Sequence, residues 1–308
     1  MLPSALVTDT ERLPAFPVPE GWLEYAAWRG EQGTIRGRVL VRPGVVSRDL
    51  GNERHVLAYV PPSLSAGADR RYPVLYMHDG QNLFDVGTSD YGEWQIDETM
   101  EALGEDGIEA IVVAIPNAVA ANPSVRAGRM LEYSPHRDDQ GRGGNGDAYL
   151  RFLASTVKPL VDVSLPTRPE SAATGIAGSS MGGLISLYAA AARPDVFGFA
   201  GVISPALWFA DGRVLHEEMP RVRPGPRIYV DVGGREGEHE ATAPSRATMS
   251  RRYVNDARLL RDQLIRNGFR PDEDLLYVED PDALHHQSAW ALRMPRMLRF
   301  LLGPAMRD

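Results

Sequence analysis

The sequence predicts an α/β fold with a mostly parallel central sheet of about eight strands flanked by helices. Three observations predict it. Short apolar runs rich in β-branched residues recur along the 308 residues without polar alternation, as strands buried on both faces require. Segments with helical periodicity separate the later runs, and that alternation implies parallel strands covered by helices. The composition, 43% hydrophobic and 24% charged, is that of an ordinary soluble globular chain able to bury a sizeable core.

Strands are expected at 35–41, 55–60, 74–78, 110–115, 173–177, 199–203, 228–232 and 275–279. Helices are expected at 93–103, 147–163, 180–192, 251–267 and 288–302. The first two strands have no helix between them, so the sheet should open antiparallel. The pattern reads as one domain over 1–308, with a catalytic body at 35–303 and an N-terminal extension at 1–34. Two polar stretches rich in turn residues, 117–146 and 233–250, read as long loops, which in compact domains tend to carry function.

Charge and residue usage remove several function classes. A formal charge of -8 does not suit a protein whose main task is gripping nucleic acid. The absence of cysteine excludes disulfides, thiolate metal sites and cysteine nucleophiles. Lys158 is the only lysine and precedes Pro159, so no P-loop exists. Gly141–Gly146 fits the glycine spacing of a dinucleotide loop, but no strand precedes it. Ser155–Lys158 fits Ser-x-x-Lys, yet a Lys-Thr-Gly partner cannot be formed with one lysine. No His/Asp/Glu spacing suggests a metal site. The N-terminus lacks an apolar run of signal-peptide length, and no stretch approaches eighteen apolar residues. The expected location is therefore cytoplasmic, with no membrane partner.

The most informative stretch is Thr174–Gly183, which contains Gly178-Ser179-Ser180-Met181-Gly182. A buried strand precedes this Gly-x-Ser-x-Gly and an Ala/Leu-rich helix follows, the setting of a nucleophile elbow in an α/β-hydrolase fold. Ser180 would stand at the sheet edge above the helix N-terminus, with the Met181 N–H facing a developing oxyanion. Gly178 and Gly182 are expected because a Cβ at either position would collide across the turn. In this fold the acid follows the serine and the histidine comes last. Glu236, just past the strand at 228–232, is placed to orient an imidazole. Asp231, within that strand, reads better as a structural carboxylate. The base is His285 or His286, which lie between the last strand and the last helix. His216 and His239 read as ordinary histidines. His78, ahead of the serine, reads as a hydrogen-bonded strand-end residue. The loop after the strand at 74–78 would give the second oxyanion donor, a backbone N–H at Gly80 or Gln81, with Gln81 favoured. Trp94, Trp208 and Trp290 could line a pocket wall, though large aromatics near a sheet edge more often pack the core or rim.

These residues resemble the esterase D-like branch of the α/β-hydrolases, and within it the enterochelin-esterase-like subset. The resemblance rests on Tyr72–Phe84, Trp94 with Ile96-Asp97, Arg129 with Glu132–Pro135, Gly178–Gly183, Ser204–Trp208, Asp231–Gly233 and His285–Trp290, in family order. It implies His285 as base, with His286 where the family has Asn. It implies Glu236 as acid, with Gly234 where the family has Thr. It brings in Gly80, Trp208 and Arg129 as substrate contacts. The implied activity is that of a serine esterase with a catalytic triad and an oxyanion hole, needing no metal or organic cofactor. Its partner would be a small or medium acyl, aryl or siderophore-type ester. Acyl transfer to a sugar hydroxyl is the alternative on the same fold, and a non-catalytic binding protein on a hydrolase scaffold is the alternative of another class. A two-fold homodimer is the commonest oligomer for such a chain.

Overall fold

The computed structural model describes residues 16–67, 69–89, 91–118 and 128–306. Its strands are β1 (Leu23–Glu24), β2 (Arg38–Ser47), β3 (Asn52–Val60), β4 (Val74–His78), β5 (Ile111–Ile115), β6 (Thr174–Ser179), β7 (Phe199–Ile203), β8 (Arg227–Arg235) and β9 (Leu275–Leu284). They form one sheet in the order β1-β2-β3-β5-β4-β6-β7-β8-β9. The first three strands run antiparallel, β3 pairs antiparallel with β5, and every pairing from β5 to β9 is parallel. All eight expected strands are present. The ninth, β1, pairs Leu23 with Val41, so the segment expected as an extension joins the sheet. Two residues carry too little periodicity to be read as a strand.

The helices are α1 (Tyr25–Arg29), α2 (Pro62–Ser65), α3 (Ile96–Glu105), α4 (Gly128–Glu132), α5 (Gly146–Phe152), α6 (Lys158–Ser164), α7 (Met181–Ala192), α8 (Ala243–Arg266), α9 (Gln287–Ala291) and α10 (Met294–Leu302). Successive residues of a strand point to opposite faces, so each central strand feeds two cores. Val74 and Tyr76 of β4 join Tyr149 of α5, Leu184 of α7 and Leu260 of α8 on one face. Leu75 and Met77 join Met100 of α3 and Met297 and Leu301 of α10 on the other. Every residue of β4, β5, β6 and β7 is buried, which explains their unbroken apolar character.

Three expected stretches differ. The loop expected at 233–250 is largely ordered structure. β8 runs to Arg235, and α8 begins at Ala243, where the Thr242 hydroxyl accepts from the Ser245 N–H and Pro244 occupies the first turn. Thr and Pro there are helix-starting signals that also resemble turn punctuation. The single helix expected at 288–302 is broken into α9 and α10 around Leu292–Arg293, with Pro295 in the first turn of α10. In the stretch expected as a loop at 117–146, residues 119–127 lie outside the described residues, and 128–132 form α4.

Chain order around the sheet sets the site. From β4 the chain passes to β5 on one side, while β6 lies on the other. The crevice beyond the carboxyl ends of β4 and β6 is thus a topological switch point, where ligands bind in open α/β sheets.

Candidate active site

Three neighbouring strands end in residues with left-handed backbone: Asp79 after β4 (φ 54°), Ser180 after β6 (φ 58°) and Ser204 after β7 (φ 40°). None is glycine, so each conformation costs energy that the surrounding packing must hold. Ser180 has ψ -118° and caps the N-terminus of α7. Its N–H donates to the Ile203 carbonyl at 2.9 Å, and its own carbonyl accepts from the Ala206 N–H at 3.0 Å. The elbow is therefore fastened to the end of β7. A Cβ on Gly178 would lie 2.8 Å from His78 Cδ2 and 3.0 Å from the Gly182 carbonyl carbon; at Gly182 the nearest atom would be 3.3 Å away. The turn closes as tightly as expected at Gly178 and less so at Gly182. Ser179 is buried, whereas Ser180 is partly exposed and lines the main cleft.

That cleft has a volume of about 820 Å³, and Ser180 and His285 share its lining with Gln81, Arg129 and Trp290. His285 Nδ1 lies 2.5 Å from Glu236 Oε2. Glu236 is fully buried, and its Oε1 accepts from the Ser204 hydroxyl and the Gly233 N–H, each at 2.6 Å. Burial pushes the Glu236 carboxyl up, but the bonds from His285, Ser204 and Gly233 outweigh it and hold the group below the usual carboxylate range. His286 is turned away and exposed. Its ring caps α9, with Nδ1 accepting from the Ser288 N–H at 3.3 Å. The histidine that meets the buried carboxylate is thus His285. His239 meets Glu236 at its backbone carbonyl and not its carboxylate, through Nδ1 at 3.0 Å, with its ring 5.8 Å from that of His285.

On the other side of the elbow, Gly80 passes so close to β5 that a Cβ would sit 2.6 Å from the Ile115 nitrogen. This approach brings Gln81 to the cleft. Met181 is the first residue of α7, so its N–H has no acceptor within the helix. Arg129, expected against substrate, grips buried Asp79 with Nε and Nη2, both at 2.7 Å. Asn117 Nδ2 donates to the same carboxylate at 2.7 Å. Asp79 is held below the usual carboxylate range because Arg129 and Asn117 overcome its burial. The guanidinium borders the cleft while its charge is already answered by Asp79. Trp208 stands outside the cleft lining, its indole edge-on to Tyr253 at 6.3 Å. Trp94 is buried against Trp290 at 5.4 Å, and of the two only Trp290 borders the cleft.

Several site residues were not singled out for the triad by the sequence, Ser204 and Trp290 being legible only within motifs and Trp290 as a candidate pocket wall. Tyr253 of α8 packs its ring 5.2 Å from that of His285. Tyr25 and Trp28 of α1 form the far wall with His55 and Tyr91. Ser204, Trp290 and Arg293 stand behind Glu236. Only the helical spacing of Tyr253 with Ala257 and Leu260 hinted at an inward face. His136, Glu217 and Glu218 gather ligand atoms within 4.8 Å of one another, but Arg213 already holds Glu217 at 2.8 and 3.0 Å.

A mostly parallel sheet carrying a strained serine at its switch point, beside a carboxylate–imidazole pair, defines an α/β-hydrolase. The chain belongs to the Putative esterase family, whose sequence profile matches residues 47–301; it is a carboxylic ester hydrolase by that membership. It is 26% identical over 261 residues to the Bacillus subtilis protein YbbA, covering 82% of this chain and 94% of that one. It is 28% identical over 146 residues to the siderophore triacetylfusarinine C esterase of Aspergillus fumigatus, or 47% of this chain and 48% of that enzyme. Among solved structures, the siderophore hydrolase EstA of Aspergillus nidulans superposes with a TM-score of 0.67 at 18% identity, covering 88% of this chain and 97% of that one. This last likeness establishes the fold. Among the described residues no helix is long and apolar enough to cross a membrane.

Proposed function

We propose that this esterase works through an acyl-enzyme, with Ser180 as nucleophile, His285 as general base and Glu236 as the acid that orients it. The observation that carries the reading is the Glu236–His285 contact of 2.5 Å, with His285 and Ser180 on one cleft. In the first half-reaction His285 Nε2 takes the Ser180 proton as Oγ attacks the ester carbonyl. The oxyanion is held by the N–H groups of Met181 and Gln81. His285 then returns the proton to the departing alkoxide. Water repeats the sequence on the acyl-enzyme and frees the acid. Glu236 remains ionised throughout and offsets the imidazolium charge.

The cleft volume is in the range that encloses a drug-sized ligand. Tyr25, Trp28, Tyr91 and Trp290 give it aromatic surface. Together with the siderophore esterases among its relatives, this supports a substrate larger than acetate, an aryl or siderophore-type ester. The test is turnover of p-nitrophenyl acetate and butyrate by wild type and Ser180→Ala. The expected loss is on the order of 10⁶-fold in kcat, and a fluorophosphonate adduct should map to Ser180. Equal turnover by both proteins would refute the reading.

A further inference from the structure

We propose that Ser204 is a positioning residue that fixes which ring nitrogen of His285 carries the proton, by making the far side of Glu236 accept and never donate. This rests on the triad reading above.

The argument is a count of lone pairs and protons. A serine hydroxyl has one proton to give and two lone pairs to fill. Both lone pairs of Ser204 are filled by N–H groups that can only donate: Trp290 Nε1 at 3.1 Å and Arg293 Nη2 at 2.9 Å. Its single proton is therefore committed to Glu236 Oε1, 2.6 Å away. The same oxygen also receives the Gly233 N–H at 2.6 Å. Two donors on Oε1 leave no place there for a proton and favour the ionised carboxylate, so Oε2 accepts from His285 and Nδ1 holds the proton. Nε2 is left as the bare nitrogen that a general base needs.

The network is held from behind. Arg293 is itself held by the fully buried Asp231, through Nε at 3.0 Å and Nη2 at 3.1 Å. Asp231 in turn accepts the Ser204 N–H at 3.1 Å. The break between α9 and α10 lets Arg293 reach inward instead of continuing a helix. The left-handed backbone of Ser204 points its hydroxyl at this junction at a conformational cost. The other titratable groups facing the pair are Asp231 of β8, Arg293 before α10, Tyr253 of α8 and His239 of the β8–α8 loop.

The experiment uses the full chain labelled with ¹⁵N-histidine, with His285→Gln to assign the resonance. In wild type at neutral pH, His285 is expected as the single Nδ1–H tautomer. Ser204→Ala removes the committed proton, and Ser204→Gly removes it while also relieving the backbone. Both should show a tautomer mixture and an acid limb of kcat/KM raised by about one pH unit. The kcat should fall roughly 10–100-fold with KM unchanged, the effect of one hydrogen bond to a charged group. A loss of packing alone would lower amplitude without moving the limb. An Nε2–H tautomer in wild type, or an unmoved tautomer and limb in the folded variants, would overturn the proposal. The spectra also separate the two readings: if wild type turned over no ester, the triad would fail while the tautomer was still measured.

Discussion

The floor beneath the elbow and the rim beside it use the same residue types to opposite ends. Each holds one histidine and one buried carboxylate at strand ends. On the floor, His78 is fully buried, and its Nδ1 shares a hydrogen bond of 2.8 Å with the Tyr149 hydroxyl. The adjacent Asp79 turns away from it to Arg129. On the rim, His285 keeps 16% of its side chain exposed and meets Glu236 directly. Floor charges are thus answered by a permanent cation and the ring is left neutral. The rim carboxylate is instead met by an imidazole at the edge of the cleft. Place in the fold does not set the two rings apart; their partners do, a buried carboxylate for His285 and a tyrosine hydroxyl for His78.

The largest effect should separate the two histidines. His285→Ala should remove turnover on the order of 10⁶-fold, because members of such a unit fail together. His78→Gln, which keeps a polar atom for Tyr149, should leave kcat within about 10-fold, a packing change remote from reacting atoms. Steady-state kinetics on both proteins checks this, and comparable losses would erase the distinction.

The carboxylates should part in the same way. Glu236→Gln should lower kcat by on the order of 10⁴ with a near-native melting curve, as for the acid of a known triad. Asp79→Asn should act first on folding. Removing one partner of a buried pair leaves the other charge uncompensated, at a cost of about 3–5 kcal/mol. The low end applies, because Arg129 keeps 25% of its side chain exposed. Urea unfolding measures the difference, and an Asp79→Asn protein of wild-type stability would contradict the bracing role.

Much of this contrast was legible in the sequence, and the rest had a reason not to be. The buried strands announced themselves through unbroken apolar runs, and Gly178–Gly182 through the sterics of a tight turn. Glu236 and His285 followed from their places after successive strands. What escaped was side-chain pairing across distant segments. Arg129 read as a substrate contact and does border the cleft, but nothing local reveals that Asp79, 50 positions earlier, takes its charge. Trp208 looked like a pocket wall because sequence order cannot show α8 sliding Tyr253 between it and His285. Ser204 was visible only within a motif, since its partners Trp290 and Arg293 lie 86 and 89 positions away. The expected N-terminal extension supplies Tyr25 and Trp28 to the cleft, through a strand too short to leave a period.

The smallest effect sharpens the comparison through pH. Burial, aided by Arg129 and opposed by Asp79, pulls the His78 pKa down to about 3 from an ordinary 6.5. Below pH 6.5 the unfolded chain therefore binds a proton at this ring that the folded chain refuses. Stability contributed by neutral His78 is whole above 6.5 and falls as pH drops towards 3. The slope of one such group is about 1.4 kcal/mol per pH unit. Asp79 and Glu236, both depressed, act in the same direction only in the lower window, below their unfolded values. Between pH 6 and 5 the His78 contribution should stand apart from theirs. Urea-derived stability across that interval should fall less steeply for His78→Gln than for wild type, by close to one proton. Identical slopes would mean that the buried imidazole gains access to water on acidification, and that the floor is less closed than its packing.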